Sequence, residues 1–219
     1  FFETPQLNLK EFSQAPTIDG VLNDPCWNNT DETIKFREYI TGKDPIVKTE
    51  VKGGFDGKSL YFAFICKEPA DISSNTPWIA KDSAGVFNTD HIEIFLKTEA
   101  FSDRYYHFAV SSSGIIYEAT KNDCGWSPKW QAAVNKSENC WIVEVAIPKN
   151  IINATTTHFL SANFCRGRHK SSPETTCWAP TFGANGGFHN SSRFGSIVLG
   201  EKTMGYLDYG QLTDNGRNI

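Results

Sequence analysis

The sequence predicts an all-β domain, an antiparallel β-sandwich of two packed sheets with about ten strands. Short runs of alternating apolar and polar residues recur along the chain and are bounded by Gly, Asn, Asp or Pro, a spacing typical of sandwiches and barrels. No stretch carries the 3.6-residue apolar period of a long helix. The 219 residues suit one large β domain, because sandwiches of this size fold as single units.

Nine segments carry the strand pattern. Asp56-Gly57 predicts a tight hairpin turn between the first two segments, and Pro148 ends the seventh. A single helical turn is expected within residues 150–157. We assign residues 1–200 to one domain and residues 201–219 to a polar tail or linker. The predicted strands are Val47–Phe55, Leu60–Lys67, Asp90–Lys97, Tyr105–Ser111, Ile115–Ala119, Trp130–Val134, Cys140–Ile147, Phe159–Arg166 and Phe194–Leu199.

Strand parity predicts which side chains share a face, since alternate residues point to opposite sides of a sheet. In Asp90–Lys97 the isoleucines and the leucine face the core, and Glu93 points the other way. In Tyr105–Ser111 the core set includes Phe108, whereas His107 and Ser111 lie opposite. If the two strands form a hairpin, the glutamate, the histidine and the serine share one polar surface.

Charge argues against nucleic acid as a partner, and hydropathy argues against a membrane span. The net charge is −4 and the basic residues are scattered, whereas nucleic-acid binding needs a basic stripe that neutralises phosphates. The densest basic group, residues 166–170, is expected at an exposed hairpin tip. No run of 18 apolar residues occurs, so the sequence predicts no membrane-spanning helix.

The cysteines and glycosylation motifs favour an exported protein, secreted or at the cell surface, with its signal segment removed. Six cysteines allow three disulfides in 15 pairings. Cys165 and Cys177 flank a polar segment with turn signals, so we expect them on adjoining strands as a disulfide. Cys124 and Cys140 could pair in the same way, whereas the other interpretation is that Cys66 and Cys140, inside strand patterns, are buried free thiols. Asn-x-Ser/Thr motifs, the acceptors of N-glycosylation, stand at Asn28, Asn135, Asn153 and Asn190.

Five short motifs follow one another between residues 17 and 199. In this order they resemble the family 9 carbohydrate-binding modules, although each motif alone is weak. They are IDGVLNDPCW at Ile18–Trp27, FDGKSLYF at Phe55–Phe62, DHIEIF at Asp90–Phe95, WIVEVAIP at Trp141–Pro148, and an ending of WAP at Trp178–Pro180, FH at Phe188–His189 and RFG at Arg193–Gly195.

The resemblance implies a sandwich that holds a sugar between two aromatic rings, with polar side chains on the sugar hydroxyls. The family's arginine on the facing strand falls on Ala109, which removes a planar donor, and His107 could replace it. The sugar-binding candidates are the rings Phe87 and Phe188, the polar residues Glu93, Asn185, Ser111 and His107, and two further indoles, Trp78 and Trp126.

The function implied is carbohydrate binding without catalysis and without a required cofactor, in a chain to which a catalytic or adhesion domain could be attached. Aromatic rings bury the apolar face of a pyranose, and carboxylates and amides bond its hydroxyls. A structural calcium ion is also implied. Asp71, Asp82 and Asp123 could supply oxygen ligands, but no acidic cluster has the spacing of a calcium loop.

Three other functions stay open. The fold could serve protein–protein adhesion or assembly after losing sugar binding. Glu93 and Glu144 could act as the acid/base pair of a glycan-active enzyme if their carboxyl groups flanked a cleft. Related sandwiches hold haem, but the single methionine, Met204, falls in the expected tail.

Overall fold

The computed structural model describes residues 4–30, 34–69, 83–99, 103–121, 123–169, 172–183 and 187–200. Over these ranges the regular structure consists of twelve β-strands and five short 3-10 turns, and no α-helix is present. The strands β1–β12 are, in chain order, Gln6–Glu11, Arg37–Glu38, Thr49–Phe55, Ser59–Lys67, His91–Lys97, Tyr106–Ser111, Ile116–Thr120, Gln131–Ser137, Cys140–Pro148, Phe159–Arg168, Glu174–Cys177 and Gly195–Leu199. The 3-10 turns are Pro25–Asn29, Ala84–Asn88, Lys149–Ile152, Gly187–His189 and Ser191–Arg193.

The strands form one continuous hydrogen-bonded path. Its order is β7-β6-β5-β10-β12-β1-β3-β4-β9-β8, and β11 and β2 extend it sideways from β10. Neighbouring strands are antiparallel except at β1, which runs parallel to both β12 and β3. Strand β1 therefore joins two halves of the sheet.

The two halves pack face to face around a single main core. Phe62 on β4 lies 4.9 Å, centroid to centroid, from Phe164 on β10. The guanidinium of Arg166 on β10 lies 5.8 Å from the ring of Trp141 on β9. Since β4 and β9 belong to one half and β10 to the other, these contacts cross the interior. The residues assigned to the core by parity on β5, β6 and β9 are buried there.

The all-β prediction is confirmed, and each of the nine predicted strands is present with ends shifted by a few residues. The finer expectation of an antiparallel sandwich with about ten strands holds in part, because the described residues form twelve strands and two of the pairings are parallel. The three strands without a prediction give weak signals. Strand β2 has two residues, β11 is mostly polar, and β1 alternates only over Leu7 and Leu9.

The basic group expected at an exposed hairpin tip is largely buried. Arg166 and Arg168 are 1% and 4% exposed, and both donate to the carboxylate of buried Glu68, at 3.2 Å and 2.7 Å. The two arginines are two residues apart and point inward, as Phe164 does. Their charges can be buried because the carboxylate of Glu68 pairs with them. His169 is exposed, as expected, and Lys170 lies outside the described residues.

A second buried carboxylate, Glu144 on β9, fastens the N-terminal segment to the sheet. It accepts hydrogen bonds from the backbone N–H groups of Asp19 and Gly20, at 3.1 Å and 2.7 Å, and from the indole N–H of Trp27 at 2.8 Å. Trp27 is completely buried. Burial raises the pKa of Glu144, and these three donors lower it only in part.

We predict that Glu144→Ala lowers the free energy of unfolding by about 3 kcal/mol, because it leaves three donors without an acceptor. Glu144→Gln should fall between this variant and the wild type, since its amide oxygen still accepts. Urea denaturation measures both. Glu138→Ala, at an exposed turn, is the control and should change stability by less than about 0.5 kcal/mol. Equal effects of the alanine variants would contradict the anchoring role.

Candidate functional site

The outward face of β5, β6 and β7 carries a group of polar and aromatic side chains. In the sheet register Phe95 is paired with His107, and His107 with Ala119. Glu93 lies on the same face of β5 as Phe95, two residues away. Ile94, which separates them in sequence, points into the main core, so parity correctly placed Glu93 and His107 on one surface.

Glu93 is buried between two histidines. Its Oε1 lies 3.1 Å from Nε2 of His91, and its Oε2 lies 2.6 Å from Nε2 of His107. Nδ1 of His91 lies 2.6 Å from the carbonyl oxygen of Thr89. The glutamate is 5% exposed, so both carboxylate oxygens are occupied by the protein itself.

The two histidines keep Glu93 ionised. Burial by itself would raise the pKa of this carboxyl group, but hydrogen bonds and charge from His107 and His91 outweigh it and lower the pKa to about 2. Gly167 makes room for this arrangement, because a Cβ atom at its position would overlap the ring of His91. The ionised state of Glu93 therefore depends on the packing around His91 as well as on the two histidine donors.

The ring of His107 is held between two phenyl rings. It stacks on Phe95 with a centroid distance of 4.2 Å and on Phe87 with 5.5 Å, at interplanar angles of 11° and 18°. Tyr117 meets Phe87 edge-on at 5.0 Å. Phe87, the first ring of the predicted sugar clamp, therefore supports protein rings and is half-buried.

Phe188, the second ring of the predicted clamp, is 8% exposed and packs within a satellite cluster that includes Phe95 and Tyr105. The neighbouring residue is the exposed one. Nδ1 of His189 lies 2.7 Å from the Tyr105 hydroxyl, and its ring meets His107 edge-on at 5.3 Å. At this turn the ring that reaches the surface is therefore His189.

A cavity of about 350 Å³, which we name the outer-face cavity, opens beside these rings. His107 and Ala119, paired across β6 and β7, belong to the sheet surface beneath it. Sequence reasoning missed Tyr105, Tyr117 and His189 as site residues, although the alternation in β7 could have placed Tyr117 on this face. The lining residues are Tyr105, His107, Tyr117, Ala119, Thr120, Lys121, Asp123, Cys124 and His189.

Most groups around the cavity are uncharged at neutral pH. Burial raises the pKa of both Tyr105 and Tyr117 above its usual value. Burial and the proximity of His107 lower the pKa of His189. The cavity therefore presents the neutral phenols of Tyr105 and Tyr117 and the neutral imidazole of His189, with Lys121 and Asp123 at its edge.

Two further sugar-binding candidates, Ser111 and Trp126, do not line this cavity. Ser111 is buried, and its hydroxyl serves its own turn by accepting from the N–H of Ile115 at 3.0 Å. Trp126 packs on the core side of β6, 5.3 Å from the ring of Tyr106. Trp78 and Asn185 lie outside the described residues.

The predicted hairpin of Cys165 and Cys177 is present, and the disulfide stays a prediction. The two residues are directly opposed on β10 and β11, and both are fully buried thiols. Burial and a hydrogen bond with Cys177 raise the pKa of Cys165. Among the glycosylation motifs, the asparagines of three are exposed and that of the fourth is half-buried. The exposed ones are Asn28, Asn135 and Asn153, and the half-buried one is Asn190.

The calcium expectation also stays a prediction. Among the described residues no group of three or more His, Cys, Asp or Glu is placed to hold a metal ion. Asp71 and Asp82 lie outside these residues, and Oδ1 of Asp123 accepts from the N–H of Gly125. Within the same described ranges, no helix has the length and hydropathy needed to cross a bilayer.

Two solved structures share the fold over nearly their whole length. Both are of a family 9 carbohydrate-binding module from Caldicellulosiruptor kristjanssonii, one in complex with cellotriose and one with glucose. The first has a TM-score of 0.65 and 18% identity, with 93% of this chain and 98% of that chain covered. The second has a TM-score of 0.62 and 17% identity, with 93% and 100% covered. No curated protein matches the sequence.

The sequence pattern of the carbohydrate family 9 binding domain-like family matches residues 18–202. The match takes in all five motifs and every strand from β2 to β12. The chain belongs to the carbohydrate family 9 binding domain-like family.

Proposed function

We propose that this domain binds a carbohydrate without transforming it, and that the sugar occupies the outer-face cavity. One observation carries the proposal, namely a ring-lined hollow on the sheet surface in a chain of this family. Its volume is at the lower end of the range for small-molecule sites, which suits a single sugar unit.

The residue types around the cavity match the two kinds of surface on a pyranose. The phenol rings of Tyr105 and Tyr117 offer flat apolar area for the C–H face. The imidazoles of His107 and His189 and the side chain of Thr120 offer donors and acceptors for the hydroxyl rim. The phenyl ring of Phe87 acts indirectly in this proposal, by bracing His107 and Tyr117.

A second candidate function is adhesion or assembly with another protein. It is favoured by the burial of Phe188 and by the occupied oxygens of Glu93, because these two groups leave little for a ligand to contact in the way the family resemblance implies. A glycan array without any bound saccharide would favour this candidate.

The proposal treats the domain as non-catalytic. The two candidate acid/base carboxylates point outward from different halves of the sheet, since Glu93 lies on β5 and Glu144 on β9, with the main core between. An acid/base pair on a glycoside instead requires two carboxyl groups about 5–9.5 Å apart across one cleft. Turnover of glycans by the wild type would contradict this part of the proposal.

We predict that Tyr117→Ala weakens binding to the best saccharide of a glycan array about tenfold, as expected for the loss of one stacking surface. Titration calorimetry of the purified domain measures the change, with a wild-type dissociation constant expected between about 1 μM and 1 mM. Phe159→Ala is the control, because Phe159 is an exposed ring that does not line the cavity. Unchanged binding by Tyr117→Ala would place the sugar elsewhere.

We also propose that the protein is exported and that Cys165 and Cys177 form a disulfide on an oxidising route. Their opposed positions on adjoining strands and the exposed asparagines of three glycosylation motifs support this proposal. Formation by exchange with an oxidised dithiol carrier would transfer two electrons and two protons to that carrier.

We predict that protein secreted from eukaryotic cells has at least two fewer reactive thiols than the six of its sequence when it is denatured without reductant. Peptide mass spectrometry should find Cys165 joined to Cys177. The double variant Cys165→Ser, Cys177→Ser is the matched control and should lose that linked peptide. Six reactive thiols in the secreted wild type would rule out the disulfide.

A further inference from the structure

We infer that Glu93 is a positioning residue that acts through His107, and that the acceptor presented to a sugar hydroxyl is Nδ1 of His107. This inference rests on the proposed carbohydrate binding in the outer-face cavity. It differs from the direct hydroxyl contact that the sequence resemblance implies for Glu93.

The protonation of His91 follows from its two neighbours. Its Nδ1 lies 2.6 Å from the carbonyl oxygen of Thr89, which can only accept, so Nδ1 carries a hydrogen. Its Nε2 lies 3.1 Å from Oε1 of Glu93, an ionised carboxylate that can also only accept. His91 is therefore an imidazolium, and its charge balances that of Glu93.

The balance leaves His107 free to be neutral. Its Nε2 lies 2.6 Å from Oε2 of Glu93 and donates to it. In a neutral ring the other nitrogen then carries a lone pair. Within the described part of the chain Nδ1 of His107 has no hydrogen-bond partner, although the ring is 4% exposed and lines the outer-face cavity.

Packing prevents the ring from turning to another arrangement. Phe95 and Phe87 cover its two faces, and His189 meets it edge-on. Exchanging the tautomer in place would set a bare lone pair of Nε2 against the carboxylate. The packing thus fixes Nδ1 of His107 as an acceptor beside the cavity, which suits a ligand rich in hydroxyl donors.

Glu93→Gln and Glu93→Leu separate the charge of residue 93 from its hydrogen bonds. The glutamine oxygen accepts from His107, and its NH₂ group donates to a neutral His91, so the tautomer of His107 is kept. Affinity should stay within about twofold, because His107 still donates from Nε2 and keeps its lone pair on Nδ1. Leucine removes the acceptor, so affinity should fall about tenfold at neutral pH.

Titration calorimetry at neutral pH with the best array saccharide measures the affinity of both variants. Glu118→Gln is the matched control, since this buried glutamate on β7 accepts from Ser127 and Trp130 and does not line the cavity. Thermal unfolding verifies that each variant is folded. A tenfold loss of affinity in Glu93→Gln, or wild-type affinity in Glu93→Leu, would overturn the inference.

Nitrogen-15 NMR of histidine-labelled protein reads the tautomers without any sugar. We expect His107 in the Nε2–H form in the wild type and in Glu93→Gln. The Nδ1–H form would overturn the inference while leaving carbohydrate binding intact. The expected tautomer together with no binding of any saccharide would instead overturn the proposed function and retain the proton assignment.

Discussion

The buried carboxylate of Glu93 sets the arrangement of the outer face, because an ion removed from water costs several kcal/mol unless donors replace the water. Two imidazoles supply them, one on the same strand and one on the next. Each imidazole in turn needs packing that holds its ring in place. His91 requires a glycine opposite it on β10, and His107 requires phenyl rings on both faces. Residues on β5, β6 and β10 and in the 3-10 turn Ala84–Asn88 are thus needed to accommodate this one buried charge.

The two outward faces of the sheet hold the same residue type in opposite electrostatic conditions. Glu144 receives hydrogen bonds from backbone and indole N–H groups, which are neutral donors, and burial raises its pKa. Glu93 receives them from imidazoles, and its pKa falls to about 2. The contrast explains why Glu144 serves as a structural anchor, whereas Glu93 can control the protons of groups beside a cavity.

Strand parity explains why the sequence predicts most of the sheet and only part of the site. It places Glu93 and His107 on one surface, because both lie in regular strands. It cannot rank Phe188 against His189, because successive residues of a 3-10 turn do not alternate between two faces. It also cannot reveal long-range partners. The pairing of Arg168 with Glu68 spans 100 residues. When that partner is not known, the sequence around the two buried arginines resembles a solvent-exposed hairpin tip.

The parallel position of β1 between β12 and β3 has a mechanical consequence. Gln6 pairs with Ser196 and Leu9 with Leu199, so the chain enters at one end of this strand pair and leaves at the other. Tension between residues 6 and 199 would act along both strands and load their hydrogen bonds together, rather than peeling them apart one at a time. The parallel pair of β1 and β12 is thereby well oriented to resist stretching of the domain.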